Sequence, residues 1–173
     1  MAVTKIAEIS PSSTNLVTFS SIPSTYDDLM LIGSAKTVRT TGSAAIYNMV
    51  EFRVNGDTGA NYSYNIWGRE LTAEYLNYST ANTAIHIHAA SSSYGSNVGW
   101  GQFQIYIPAY KNATANTTMQ IVGACTQGAS DPQWGFTGAG EWDNTSAINA
   151  LSFECGGNFT AGTTISLYGI TSS

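Results

Sequence analysis

A chain of 173 residues with six Lys and Arg against eleven Asp and Glu, and a net charge of -5, has no basic stripe to neutralise phosphates, so nucleic acid is not an expected partner. Its 43% hydrophobic and 12% aromatic residues are too many for a disordered chain, while no apolar run nears the ~18 residues of a membrane helix, so membrane insertion is not expected either. What remains is one domain, 1–173, with a neutral polar surface: only 10% of residues are charged, and Ser, Thr and Asn make up about a third of the sequence.

The opening Met1-Ala2-Val3-Thr4-Lys5 lacks a charged segment followed by an apolar one, and synthesis in a cytoplasm is expected. Cys125 and Cys155 sit beside apolar neighbours in alternating runs and are predicted to be two reduced core thiols. The Asn-x-Ser/Thr sequons at Asn61, Asn77, Asn112, Asn116, Asn144 and Asn158 follow from composition and would carry no meaning in a cytoplasm.

Ile6, Ile9, Leu16, Val17 and Phe19 form two short runs divided by Ser10-Pro11-Ser12-Ser13, which is turn chemistry between two strands. From Asp28 to Thr40 one long strand is predicted, with Leu29, Leu31, Gly33 and Ala35 on one face and Met30, Ile32, Ser34 and Lys36 on the other. Apolar residues on both faces point to a strand covered on both sides at one end. A small-residue loop over 40–45 follows, then Val50, Phe52 and Val54 alternate with Glu51 and Arg53. Asn55-Gly56-Asp57 turns this strand into Tyr62, Tyr64 and Ile66 against Ser63, Asn65 and Trp67, a hairpin.

Leu71 to Tyr78 has mixed spacing and is the one stretch where a helical turn is an open alternative. Ile85 and Ile87 alternate with His86 and His88, and Ala89 to Ser96 reads as a flexible loop. The central strand is Gln102 to Pro108, which places Phe103, Ile105 and Ile107 on one face and Gln102, Gln104 and Tyr106 on the other. Thr118 to Cys125 alternates in the same way, whereas Gln127 to Gly140 is Gly-rich and reads as a long loop or an irregular edge strand. Ala147 to Cys155 and Thr164 to Ile170 close the chain, joined by Gly156-Gly157-Asn158-Phe159. About nine or ten strands result, which predicts an all-β, single-domain antiparallel β-sandwich of jelly-roll type.

Few residues suggest chemistry. His86 and His88 lie two apart on a strand, so both imidazoles would point one way, but two ligands do not make a metal site and two solvent-facing histidines are the simpler expectation. Glu141 and Asp143 share a face of an extended segment, a spacing too common to mark an acid and base pair. The sequence has no Gly-x-Ser-x-Gly elbow, no phosphate loop before a helix and no Cys with a base, so neither an enzyme nor a cofactor is expected. Trp67, Trp100, Trp134 and Trp142 mostly lie beside Gly or at strand ends, where a flat ring could contact a glycan or a protein partner. One or two of the four are expected to do so, the others capping the core.

Three groups of residues resemble a group of tailed-bacteriophage virion proteins. They are Phe19-Ser20-Ser21-Ile22-Pro23-Ser24-Thr25-Tyr26; Arg53-Val54-Asn55-Gly56-Asp57 with Asn61-Tyr62; and the set Trp142, Asn144-Thr145-Ser146-Ala147-Ile148, Asn158-Phe159 and Leu167-Tyr168-Gly169-Ile170. That group comprises capsid decoration (cement) proteins and the distal domains of tail fibres or tailspikes. The resemblance implies a β-sandwich homotrimer, assembled in the host bacterial cytoplasm and carried on the outer capsid surface of the virion, with the major capsid protein as partner and a host surface glycan as a further contact. It carries over no catalytic residue.

Of the roles this implies, a capsid cement protein fits a chain that starts its sandwich within ten residues of Met1, where a tail fibre needs an attachment region first. A tail-tip module would instead use the exposed aromatics and the 127–140 segment to bind glycans, and a cellular carbohydrate-binding or depolymerising sandwich would need a secretion signal or paired carboxylates in a cleft. The trimer is expected to bury apolar surface of the 27–40 strand or the sandwich end near Trp100.

Overall fold

The computed structural model describes residues 1–38, 47–70, 73–92, 99–126 and 133–172. These form twelve strands and no helix: β1 (Ala2–Ile9), β2 (Leu16–Phe19), β3 (Asp28–Thr37), β4 (Tyr47–Val54), β5 (Tyr62–Glu70), β6 (Ala73–Asn82), β7 (Ile85–Ser92), β8 (Gly101–Ile107), β9 (Thr117–Thr126), β10 (Gln133–Trp142), β11 (Leu151–Cys155) and β12 (Thr164–Thr171). Period-two alternation makes them strands. In β8 every second side chain is buried (Phe103, Ile105, Ile107) while Gln102 and Gln104 face out, and Leu151, Phe153 and Cys155 do the same in β11.

The strands make a β-sandwich. A large sheet runs β1-β12-β3-β8-β9-β10-β5-β6 and a small one β2-β11-β4-β7, with antiparallel pairing throughout each. The sheets join at one corner, where the end of β3 pairs with β7 in parallel, Lys36 opposite Ser91 and Thr37 opposite Ser92. Between β2 and β5 the chain switches sheet at every step, and again at β7, β8, β11 and β12.

Leu29 and Leu31 of β3, Ile105 and Ile107 of β8, and Ile165 and Leu167 of β12 meet Val50 and Phe52 of β4, Ile85 and Ile87 of β7, and Leu151 and Phe153 of β11 in one buried cluster. Phe153 bridges the layers, its ring centroid 5.1 Å from that of Phe52 and 5.2 Å from that of Phe103. Across the inner face of the large sheet, Gly33, Phe103, Gly123, Phe136, Gly68 and Tyr75 stand opposite one another on β3, β8, β9, β10, β5 and β6. The Phe103 ring lies where a Cβ on Gly33 would fall (2.2 Å from Cζ), and the Phe136 ring likewise covers Gly123 (2.3 Å). Small and large residues thus fill the layer by alternation.

Several expectations change. The stretch open to a helical turn is strand β6 from Ala73 on, Leu71 and Thr72 lying outside the described residues. Gln133–Trp142 is neither loop nor edge but an interior strand between β9 and β5. Its glycines allow close approach: a Cβ at Gly138 would lie 2.3 Å from the Asn65 carbonyl oxygen, and one at Gly140 would lie 2.5 Å from Ile85 Cδ1. Ala89 to Ser92, predicted to open a loop, instead end strand β7, and 93–96 fall outside the described residues, as do 40–45 and 127–132. The outer face of β3 is partly covered within the chain: Met30, Ser34 and Lys36 are half-buried, and Ile32 between them is 42% exposed. Cys125 and Cys155 are buried free thiols, as the sequence indicated.

Candidate functional site

The four tryptophans separate into two buried and two accessible rings. Trp142 is 1% exposed and its indole N–H donates to Asp57 Oδ2 at 2.8 Å. Asp57 also accepts from Asn61 Nδ2 (2.9 Å) and the Gly59 amide (2.8 Å), and these bonds, that of Asn61 foremost, hold its carboxyl below the usual range. The turn itself needs left-handed backbone at Asn55 (φ 52) and Gly56 (φ 68), which Asn and Gly tolerate. Asn55 Oδ1 then accepts the amides of Asn149 (2.9 Å) and Ala150 (3.0 Å). Beside it the Tyr62 hydroxyl accepts the Val54 amide at 3.0 Å, and burial pushes its pKa up to about 12. Trp142 therefore clamps a turn and presents no ring to a ligand. Glu141 and Asp143 are tied together at this end by Asn116 Nδ2, at 3.0 and 2.7 Å.

Trp134 is also buried (3% exposed), because it shares the inward parity of Phe136 on β10. Its ring stacks on His88 (centroids 5.4 Å) and meets Tyr75 edge-on at 5.0 Å. The expectation of two solvent-facing histidines fails for His88. The β4–β7 register shifts between Asn48 and Val50, where His88 and Ala89 of β7 stand against Met49 alone, so the bulge lies at His88 itself, and His88 is buried against the large sheet. Burial, with His86 adding to it, pushes the His88 pKa down to about 4. His86 stays half-buried, its ring 5.7 Å from Tyr64 and its Nε2 3.9 Å from Glu51 Oε1. Among the described residues no three His, Cys, Asp or Glu side chains group as a metal site would require.

Trp100 and Trp67 are accessible. Trp100 lies over Gly162, whose φ of +92 suits glycine, and Lys36 Nζ stands 5.8 Å from its ring centroid. Trp67 projects from β5 onto the outer face of the large sheet. Pairing aligns that face in rows: Ile32, Gln104, Val122, Thr137, Trp67 and Leu76 form one; Met30, Tyr106, Gln120, Ala139, Asn65 and Tyr78 a second; Ser34, Gln102, Ala124, Gly135, Arg69 and Glu74 a third. The charged residues in these rows are Arg69 and Glu74, opposite each other, whereas Ile32, Val122, Trp67, Leu76 and Tyr78 are all exposed.

At the β5–β6 side of this face a groove of about 550 Å³ is lined by Ser63, Asn65, Leu76, Tyr78, Thr118 and Glu141, among others. Sequence reasoning selected Trp67 but missed Tyr78 and Leu76. The signal available for them was the hairpin register carried one strand further, which sets Leu76 opposite Trp67 and Tyr78 opposite Asn65. Comparisons with protein-family models, with curated proteins and with solved structures find no match to the chain.

Proposed function

We propose that this protein is a structural subunit of a tailed-bacteriophage virion, exposed on the outer capsid surface as a trimeric cement protein of jelly-roll type. The observation that carries the reading is the uncharged middle of the outer face of β3, β8 and β9, between Asp28 and Lys36 at the two ends of β3, where Ile32 and Val122 lie exposed among Met30, Ala124, Gln102, Gln104 and Gln120. Such a face suits burial against further copies of the chain or the major capsid protein, since few charges need desolvating there. Trp100 with Lys36 offers a second contact at the sandwich end.

Two features support the family and the topology. Ser21 to Tyr26, Asn55 to Tyr62 and Trp142 to Ile148, which carry much of the resemblance, are far apart in sequence yet meet in one framework. Ile22 N–H donates to the Asn149 carbonyl, Ile148 N–H to that of Tyr110, and the Tyr110 hydroxyl to that of Pro23. Apart from the β9–β10 hairpin and the β1–β12 edge, the strand orders are β2-β11-β4-β7 and β3-β8-β5-β6, eight strands arranged as two Greek keys would place them.

The alternative is a tail-tip module that binds host surface glycans, favoured by the exposure of Trp67 and Tyr78. Copy number separates the two. Quantitative mass spectrometry of purified virions against the major capsid protein is expected to find hundreds of copies per particle, and light scattering a mass three times the 18.3 kDa of the chain. A few copies would move the protein to the tail, and absence from particles together with a monomer would overturn the virion reading.

A further inference from the structure

We propose that the groove across β5, β6, β9 and β10 binds an uncharged oligosaccharide, with Tyr78 as the stacking ring of its wall and Trp67, outside the lining but beside it on the same face, as a second ring. The inference deepens the glycan-contact reading above, and rests on it, by naming the site and the ligand class.

Three properties of the groove point to a sugar. The first is ring area. Tyr78 is 68% exposed and Trp67 45% exposed, and they are diagonal neighbours on one face, because Asn65 stands opposite Tyr78 and Trp67 opposite Leu76. Flat, stiff rings with a polar edge give contact area to the apolar face of a hexose at little cost in side-chain entropy.

The second is a small set of polar groups in a mostly apolar lining, the composition of small-ligand sites. Ser63, Asn65 and Thr118 each donate and accept, and Glu141, held by Asn116, accepts. Sugar hydroxyls do both, so each of these groups finds a partner in a sugar. An apolar protein surface laid over the same groove would strip water from them without replacing its hydrogen bonds.

The third is charge. Glu141 is the charged residue of the lining, so a carboxylated, sulfated or phosphorylated ligand meets repulsion and a neutral one does not. The groove's ~550 Å³ is also within the range of small-ligand sites. Neither buried tryptophan reaches this face, and Trp100 lies beside Lys36 instead.

The test is a glycan array of neutral and anionic oligosaccharides probed with the full chain, followed by titration calorimetry with the strongest neutral binder. Tyr78→Ala and Trp67→Ala are each expected to weaken that binder at least tenfold, with Tyr78→Phe within about twofold of the parent and Trp100→Ala unchanged. Circular dichroism and the melting temperature show whether each variant is folded. Glu141→Gln is expected to admit uronate-containing glycans that the parent excludes. An array without neutral binders overturns the proposal, as does binding that survives both ring deletions. So does a fall in oligomeric mass on Tyr78→Ala without glycan binding, which would make the groove a contact between copies.

Failure here is distinguishable from failure of the function proposed above. An empty array with hundreds of copies per particle removes the sugar site and leaves the cement protein. A neutral binder that is absent from particles does the reverse.

Discussion

Trp142 and Trp67 lie on neighbouring, directly paired strands, β10 and β5, and their surroundings in the sequence are alike: Gly-Glu-Trp-Asp for one, Ile-Trp-Gly for the other. One is 1% exposed with its N–H bonded to Asp57, and the other is 45% exposed on an open face. Parity along the strand separates them. Even positions from Tyr62 to Gly68 and from Trp134 to Trp142 face the core or its rim, and odd positions face out. The turn end of the sandwich is therefore a region whose polar groups are spent on one another, and the outer sheet face one whose groups are available. A tryptophan's type says little about its work until its face is known.

The contrast is tested most severely at Trp142. Trp142→Ala removes a buried ring and leaves the Asp57 carboxylate without one of its donors, and a loss of about 3–5 kcal/mol is expected in chemical denaturation. A loss below about 1 kcal/mol would show that the clamp does not hold the turn end.

His88 sharpens the comparison, because it is buried on a strand where the sequence pattern placed it outside. The unfolded chain protonates this histidine below its ordinary value of 6.5, and the folded protein only below about 4. Its contribution is therefore fully present above pH 6.5 and declines as the pH falls toward 4, by about 3 kcal/mol in all. His86, lowered by burial as well, adds the same sign. In His88→Phe the profile over this window is expected to flatten, measured by denaturation at several pH values; a slope as steep as the parent's would assign the effect to other groups. The smallest effect belongs to the open face: Trp67→Ala is expected to change stability by no more than about 0.5 kcal/mol. A larger loss would mean that this ring supports the fold and the two regions are less distinct than their exposures indicate.

Strands with one apolar and one neutral-polar face were legible in the sequence, as β8, β11 and the inward side of β3 show, because only one register buries Phe103, Ile105 and Ile107 or Leu29, Leu31 and Ala35. The Asn55-Gly56 hairpin was legible from turn chemistry. β10 was not, because its glycines, a sign of irregular chain in isolation, admit the backbone of β5 and the side chain of Ile85. β6 was obscured by its own exposed Leu76 and Tyr78, which break the alternation of a half-buried strand and belong to the candidate groove. The bulge at His88 and the Asp57–Trp142 bond depend on partners distant in sequence, which no local pattern encodes. Among the candidate contact residues, Trp67 could be placed outward from the hairpin alone, while Trp134 and Trp142 required recognising β10 as a strand.

The alternation of Gly33, Phe103, Gly123, Phe136, Gly68 and Tyr75 across the large sheet has a consequence for how the chain can vary. A methyl group added at residue 33 intrudes on a ring carried by residue 103, and one added at 123 on a ring carried by 136, so each change has to be answered on another strand. These positions form a single unit of variation distributed over roughly a hundred residues of sequence. A lineage or a designer can exchange which strand brings the ring and which makes the room, but cannot enlarge both partners and keep the sheet.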